Sequence, residues 1–379
     1  DDLGWADVGY NDRNNVFQTP NIDELASKSM VFTDAYAGAS NCAPSRAVLM
    51  SGQYTPRHGI YTVSPSDRGH PKTRRLIATK NTDILGDSVV TLAELFKSQG
   101  YTTGSFGKWH LGQDAKSQGF DHNVAGHLKG HPKSYFSPYN MPFLEDGPKG
   151  EYLPNRITTE AIDWISEVRD QPFFAYVPYY TVHTPLETID TFKQKYLSHP
   201  KVRNERHATY AAMVELMDIN IGRLITSLKE FNISNDTLII FTSDNGPHEE
   251  GGADPDYFNS NGPLKGVKPP LYEGGIRVPM IVKWSNKVTQ GSTTDHQVII
   301  EDIFPSFLEI AGVDYIGKVI QKIDGRSFVS ASKGQATETA DRPLFWHYPN
   351  TYDQPPYSAV RLGDWKLIYY HANRSFELF

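Results

Sequence analysis

Cys42 is the only cysteine among the 379 residues, so it has no partner for an internal disulfide. A lone cysteine is either a small buried hydrophobe or a reactive group. Its neighbours favour the second reading. Pro44 and Arg46 follow at short spacing, and the apolar run Ala47-Val48-Leu49-Met50 begins only after the arginine. This pattern predicts a helix that starts at the cysteine and carries a guanidinium one turn on. A helix N-terminus and a nearby arginine both favour negative charge there.

Two more constellations carry chemistry. Asp1-Asp2 and Asp244-Asn245 are oxygen-rich pairs, the second closing an apolar run. Such oxygens suit a hard divalent cation, Ca²⁺ or Mg²⁺. Taken alone, the same residues also read as a cap and an Asp-Asn-Gly turn. Lys108 and His110, in Gly-Lys-Trp-His-Leu-Gly, are separated by one residue and point the same way if the chain is extended there. That pair can clamp an anion and move a proton. In isolation it also reads as a surface lysine beside a satisfied histidine.

The elements that would position these residues follow from periodicity and caps. Helices are expected over residues 21–29 with Asn21 as cap, 91–99 ended by Gly100, 158–168, 207–230 and 302–311. Strands are expected over 101–106, 172–177, 237–242 and 278–282. Tyr210, Met213, Val214, Met217, Ile221, Leu224 and Leu228 keep helical spacing, so those methionines read as core. Strands alternating with helices predict an α/β fold, with a large, mainly parallel sheet sandwiched by helices. Ligands in such folds sit beyond the carboxyl ends of the strands, where the motifs after Phe106, Val177 and Thr242 fall. Residues 113–152 read as an insertion over the site, and aromatic-rich strands at 343–348 and 365–370 as a small C-terminal antiparallel subdomain. The division expected is 1–340 for the catalytic domain and 341–379 for the start of that subdomain.

The run Cys42-Ala43-Pro44-Ser45-Arg46, closed by Ser51-Gly52, resembles the signature of the type I sulfatases of the alkaline phosphatase superfamily. Asp1-Asp2-Leu3-Gly4, the Lys108–His110 run, Val182-His183-Thr184-Pro185, Ser243-Asp244-Asn245-Gly246, Gly262-Pro263-Leu264-Lys265-Gly266 and Tyr272–Pro279 resemble that family's other motifs, in order. The resemblance implies that a formylglycine-generating maturation enzyme oxidises Cys42 to formylglycine, whose hydrate attacks the sulfur of a sulfate ester. It implies Asp1, Asp2, Asp244 and Asn245 as metal ligands, usually for calcium with Mg²⁺ as the alternative. It gives Arg46 the hydrate and its partner charges, and Lys108 the sulfate. It gives His110 the proton that breakdown of the covalent intermediate releases. His183 and Lys265 contact sulfate on the leaving-group side, and Arg277 is structural. The runs at 346–349 and 355–358 look like bacterial polysaccharide sulfatases, which implies a sulfated saccharide substrate. His347, His296, Tyr135, His131 and Tyr352 are candidates for the sugar pocket.

Bulk properties agree with a loop-rich globular enzyme: 39% hydrophobic residues, 30 glycines and 25 prolines. A net charge of −7 does not suggest a nucleic-acid partner, so any anion site must be built from a few placed cations. No apolar run approaches the roughly 20 residues of a membrane helix. The chain starts at Asp1 without an initiator methionine, so a missing leading strand and signal segment and a trimmed C-terminus are expected. A periplasmic or secreted location follows only from the resemblance. The rival readings are a phosphonate or phosphate monoester hydrolase of the same superfamily and an inactive glycan-binding homologue.

Overall fold

The computed structural model describes residues 1–67, 70–313, 319–335, 342–350 and 355–379. Tyr352 and the expected boundary residue Asp341 lie outside them. The fold is α/β, with parallel strands and a separate antiparallel C-terminal sheet. Thr102–Phe106 is flanked by parallel His122–Val124 and Phe173–Tyr176. A second sheet runs Ile239–Thr242, Met280–Lys283, Met30–Phe32, Ser292–Thr294. Its last pair is parallel and the others antiparallel. The edges Phe173–Tyr176 and Ile239–Thr242 face an apolar cavity of about 710 Å³, which also reaches Asp1 and Asp244.

Three helices matter most for the site. α1 (Cys42–Ser51) begins at the lone cysteine. α2 (Leu153–Val168) buries Leu153, Ile157, Ala161, Trp164, Ile165 and Val168, a stripe of helical period. It starts earlier than the pattern suggested, because Pro154 fits a first helical turn, where its missing N–H costs nothing. α3 (Glu205–Glu230) is capped by Asn204, whose Oδ1 accepts the His207 N–H at 2.9 Å. Met213 and Met217 are buried on it, as the spacing predicts. The helix expected at 21–29 runs Pro20–Ser27 instead. Asn21 is no cap there, since its side chain donates to Asp218 of α3 at 2.7 Å.

The C-terminal strands Leu344–Tyr348, Tyr357–Leu362, Trp365–Tyr370 and Ser375–Leu378 form an antiparallel meander. Its inner face, including Trp346, Tyr348 and Tyr357, packs with Tyr36 and Ile276. Trp346 Nε1 donates to the Ala37 carbonyl at 2.8 Å, so this sheet buttresses the segment that leads into α1.

The segment from Gly262 to Arg277 folds back on itself with little room. A Cβ on Gly275 would stand 2.1 Å from the Pro270 carbonyl oxygen, and one on Gly274 2.0 Å from that of Gly266. Glycine is needed here for close backbone approach. Gly275→Ala is therefore expected to cost about 1–3 kcal/mol in denaturant unfolding, as overpacking does. Gly86→Ala, where the nearest atom is at 3.8 Å, should be close to neutral. Equal stability of the two variants would show that the segment yields easily.

Candidate active site

α1 presents Cys42 at its first turn. The Asn41 side chain accepts the Cys42 N–H at 3.0 Å, and its own amide donates to Thr62 Oγ1 at 3.0 Å. The cap is thus held from outside the helix. Arg46, one turn on, is 4% exposed and projects toward the same cluster.

Around Cys42, three buried carboxylates each meet one buried cation. Arg46 grips Asp244 Oδ2 through Nε at 2.9 Å and through its terminal NH₂ at 2.7 Å. Lys108 Nζ bonds Asp1 Oδ2, with both side chains fully buried. Lys268 Nζ lies 2.9 Å from Asp2 Oδ1 and 3.1 Å from the Cys42 sulfur. These pairs join an opening dipeptide, a strand end, a helix and two loops. The Asp2 N–H donates to Asp244 Oδ1 at 3.1 Å and the Leu3 N–H to Ser243 Oγ at 3.0 Å, which fixes the first residues against that strand end.

The structure places Lys265 elsewhere than expected. Its side chain is 61% exposed and lies over the rings of Tyr272 and Phe379, with Glu377 at 3.8 Å. The lysine that reaches Cys42 is Lys268. Sequence offered two lysines in one glycine-rich segment, and only the fold-back at Gly274 and Gly275 selects between them. Lys108 and His110 do reach one cluster, but not as neighbours on an extended strand. His110 adopts φ +63°, after Gly107 at φ +122°. His110 Nδ1 is buried without a partner.

His183 Nε2 faces Asp2 Oδ2 at 3.7 Å, while its Nδ1 donates to the Thr184 carbonyl at 2.9 Å. His248, not singled out from sequence, lies with Nε2 3.8 Å from the same oxygen and stacks on His183 at 5.5 Å. It gets there through the turn at Gly246, where a Cβ would meet the Gly274 carbonyl at 1.9 Å. Three candidates for the sugar pocket are placed differently. Tyr135 is fully buried and donates its hydroxyl to the His183 carbonyl at 2.9 Å, so it supports the site from beneath and cannot line it. His296 is grouped with Asp302, Arg342 and Asp295 instead. His347 is half-buried, with Nδ1 2.7 Å from Ser358 Oγ and its ring against Tyr61, the neighbour of Thr62.

Charge inside the cluster is balanced by proximity. Burial pushes the Lys268 ammonium toward neutrality, but Asp2 and Cys42 outweigh it and hold its pKa well above the lysine range. Burial also opposes ionisation of Asp2 and Asp244, yet Lys268 and Arg46 respectively keep both carboxyls below the usual range. The imidazoles go the other way: burial, then the positive charge of Lys108, lowers His183 to about 4.

The donor set fits a hard cation. Oxygens of Asp1, Asp2 and Asp244 lie within 4.8 Å of one another. Asp1 Oδ1 and Asn245 Oδ1 are buried and lack a hydrogen-bond donor. Two orphaned oxygens among three carboxylates are what an oxygen-seeking cation would satisfy.

Comparison with known proteins gives concordant results. The family described as Sulfatase matches residues 1–313, and N-sulphoglucosamine sulphohydrolase, C-terminal, matches 268–379. A sulfatase of Formosa agariphila is 33% identical, covering 100% of this chain and 80% of that protein. The N-acetylgalactosamine-6-sulfatase of Mus musculus is 31% identical, covering 100% and 72%. The crystal structure of Ps i-CgsB in complex with k-i-k-neocarrahexaose superposes with a TM-score of 0.82 at 29% identity, covering 100% and 84%.

Asp7 shapes the turn that carries the first two aspartates. Its Oδ2 accepts the Gly4 N–H at 3.0 Å and the Tyr210 hydroxyl at 2.7 Å, while Oδ1 has no partner. Burial raises its pKa from 3.8 to about 6. The folded state therefore holds a proton that the unfolded state has lost, and this stabilisation fades as pH rises from about 4 through 6. Asp7→Asn keeps both bonds through its amide oxygen and does not titrate. Urea unfolding should show the variant gaining on the wild type between about pH 4.5 and 7.5. A constant difference would contradict the buried, protonated carboxyl.

Proposed function

The chain belongs to the sulfatase family, whose members hydrolyse sulfate esters, and from that premise we propose that it removes sulfate from a sulfated carbohydrate at the Cys42 cluster. Two relatives support a carbohydrate: one is named for N-acetylgalactosamine 6-sulfate chemistry, the other was crystallised with a neocarrahexaose. The observation that carries the reading is the convergence of Lys108, Lys268, Arg46 and His183 on one buried cysteine.

Cys42, once converted to formylglycine by a maturation enzyme, supplies an aldehyde hydrate as nucleophile. Asp1, Asp2, Asp244 and Asn245 would hold the cation, calcium in the first instance, which supplies Lewis-acid polarisation of a sulfate oxygen. The side chains do the rest. Asn41 and the first turn of α1 aim the nucleophile, and the helix N-terminus favours negative charge on it. Lys268, at hydrogen-bond distance from the Cys42 sulfur, and Lys108 bind the peripheral sulfate oxygens, where charge sits during sulfuryl transfer. Arg46 keeps Asp244 ionised and fixed. His183 protonates the departing sugar oxygen: burial keeps it neutral in the free site, and an arriving anion restores its proton. His110 has a buried nitrogen without a partner and takes the proton of the remaining hydroxyl as the C–O bond to sulfate breaks, sulfate leaves and the aldehyde is restored for rehydration by water. The location proposed is periplasmic or secreted, and no helix among the described residues is long and apolar enough to cross a membrane.

Sulfate release from a panel of sulfated saccharides tests the proposal, using protein co-expressed with a formylglycine-generating enzyme. Release that disappears in Cys42→Ala is the expected result. Converted protein that spares every sulfate ester yet cleaves a phosphonate ester would overturn it. Within that assay, Lys268→Ala should lower kcat/KM by about a hundredfold or more, the scale of one lost transition-state donor. Lys265→Ala should stay within about threefold of wild type, as expected for an exposed pair. The opposite order would return the role to Lys265.

A further inference from the structure

The loop from His127 to Lys133 packs directly on two site residues. The His110 N–H donates to the His127 carbonyl at 2.9 Å. A Cβ on Gly130 would stand 2.4 Å from the His110 ring. The His131 ring lies parallel to that of His183, with centroids 6.0 Å apart and planes 8° apart. His248, His183 and His131 thus make a column of imidazoles running from beside Asp2 out to the surface, where His131 is exposed. Hydrogen bonds hold the loop in place. Asn123 bonds both the N–H and the carbonyl of Gly126, and the Lys129 N–H donates to His127 Nδ1 at 2.9 Å.

This loop is basic in an acidic protein. The chain carries a net charge of −7, yet no Asp or Glu occurs between Asp121 and Glu145. Lys129 and Lys133 are exposed, and neither forms an ion pair with any described residue. Lys129 and His131 face buried His127 closely enough that, after burial, their charge helps lower its pKa to about 4. Just beyond the loop, Glu187 is taken up by Ser134 Oγ at 2.7 Å and by the Tyr135 N–H. His131 Nδ1 is occupied by the Pro132 carbonyl at 3.0 Å, which leaves Nε2 as the ring's remaining polar atom. Unneutralised cations gathered at the rim of a site attract anions and set partner choice more than they add raw affinity.

We propose that the 127–133 loop is a subsite for a second anionic group on the saccharide, a sulfate ester or a carboxylate beyond the ester being cleaved, held by Lys129 and Lys133 with His131 marking its inner edge. The substrate class is then a multiply charged glycan. This rests on the function proposed above.

The test compares kcat/KM on three disaccharides: one with a single sulfate ester, the same with a second sulfate on the neighbouring sugar, and the same with a uronate there. The wild type should prefer a doubly charged substrate, with a preference that shrinks as salt is raised. In Lys129→Ser/Lys133→Ser that preference should fall about tenfold, mainly through KM, the sum expected of two rim charges. The arm with the larger fall tells sulfate from carboxylate. An unchanged preference in the double variant overturns the subsite. So does an equal loss on all three substrates, which would mean that the loop acts only by holding His110. Failure of converted wild type on every sulfate ester defeats the parent reading and this one together.

Discussion

Three buried ion pairs, Asp1–Lys108, Asp2–Lys268 and Asp244–Arg46, are the constraint on which the rest of the structure depends. Burying a charge is costly, and attraction in a poorly solvated interior offsets that cost only when partner and geometry are right. Each pair here joins chain segments that are distant in sequence: residues 1 and 108, 2 and 268, 46 and 244. Loss of one partner leaves a buried charge exposed to the full desolvation penalty, of about 3–5 kcal/mol. The cluster therefore couples the opening turn, two strand ends, α1 and the Gly262–Arg277 segment into one unit. A shift in any of them unbalances the others.

That arrangement also explains how one set of residues can serve two states. Paired to lysine or arginine, each buried carboxylate of the cluster faces a cation in the absence of ligand. A cation on the aspartates would take over their neutralisation and leave the ammonium and guanidinium groups to face an anion. The sulfur of Cys42 already sits where such an anion would arrive, 3.1 Å from Lys268 Nζ. Under the function proposed, pre-placed positive charge of this kind would need no reorganisation at the moment of reaction.

Much of this was legible in the amino-acid order, and the parts that were not share a cause. α1, the strand Thr102–Phe106 and the long helix α3 follow from local rules of capping and periodicity, so their existence and rough limits could be read directly. Lys268 could not. Whether residue 265 or 268 enters the site depends on a fold-back so close that a Cβ on Gly274 or Gly275 would stand 2.0–2.1 Å from a backbone oxygen, and no propensity encodes that. Tyr135 shows the same limit from the other side. An aromatic in a polar insertion looks like a surface contact until its hydroxyl is found bonded to the His183 backbone. His248 was hidden by its position after an Asp-Asn-Gly turn, where the return of the chain, not the spacing, brings the ring beside Asp2.

The strands Phe173–Tyr176 and Ile239–Thr242 both end at groups that the cluster fixes. The Tyr176 hydroxyl oxygen accepts from the Arg46 guanidinium at 3.3 Å, and Thr242 leads into Ser243 and Asp244. The strand ends are thus tied to the site by polar contacts as well as by the packing along their length. In this fold the site is a source of order for the elements that present it, as well as a product of them.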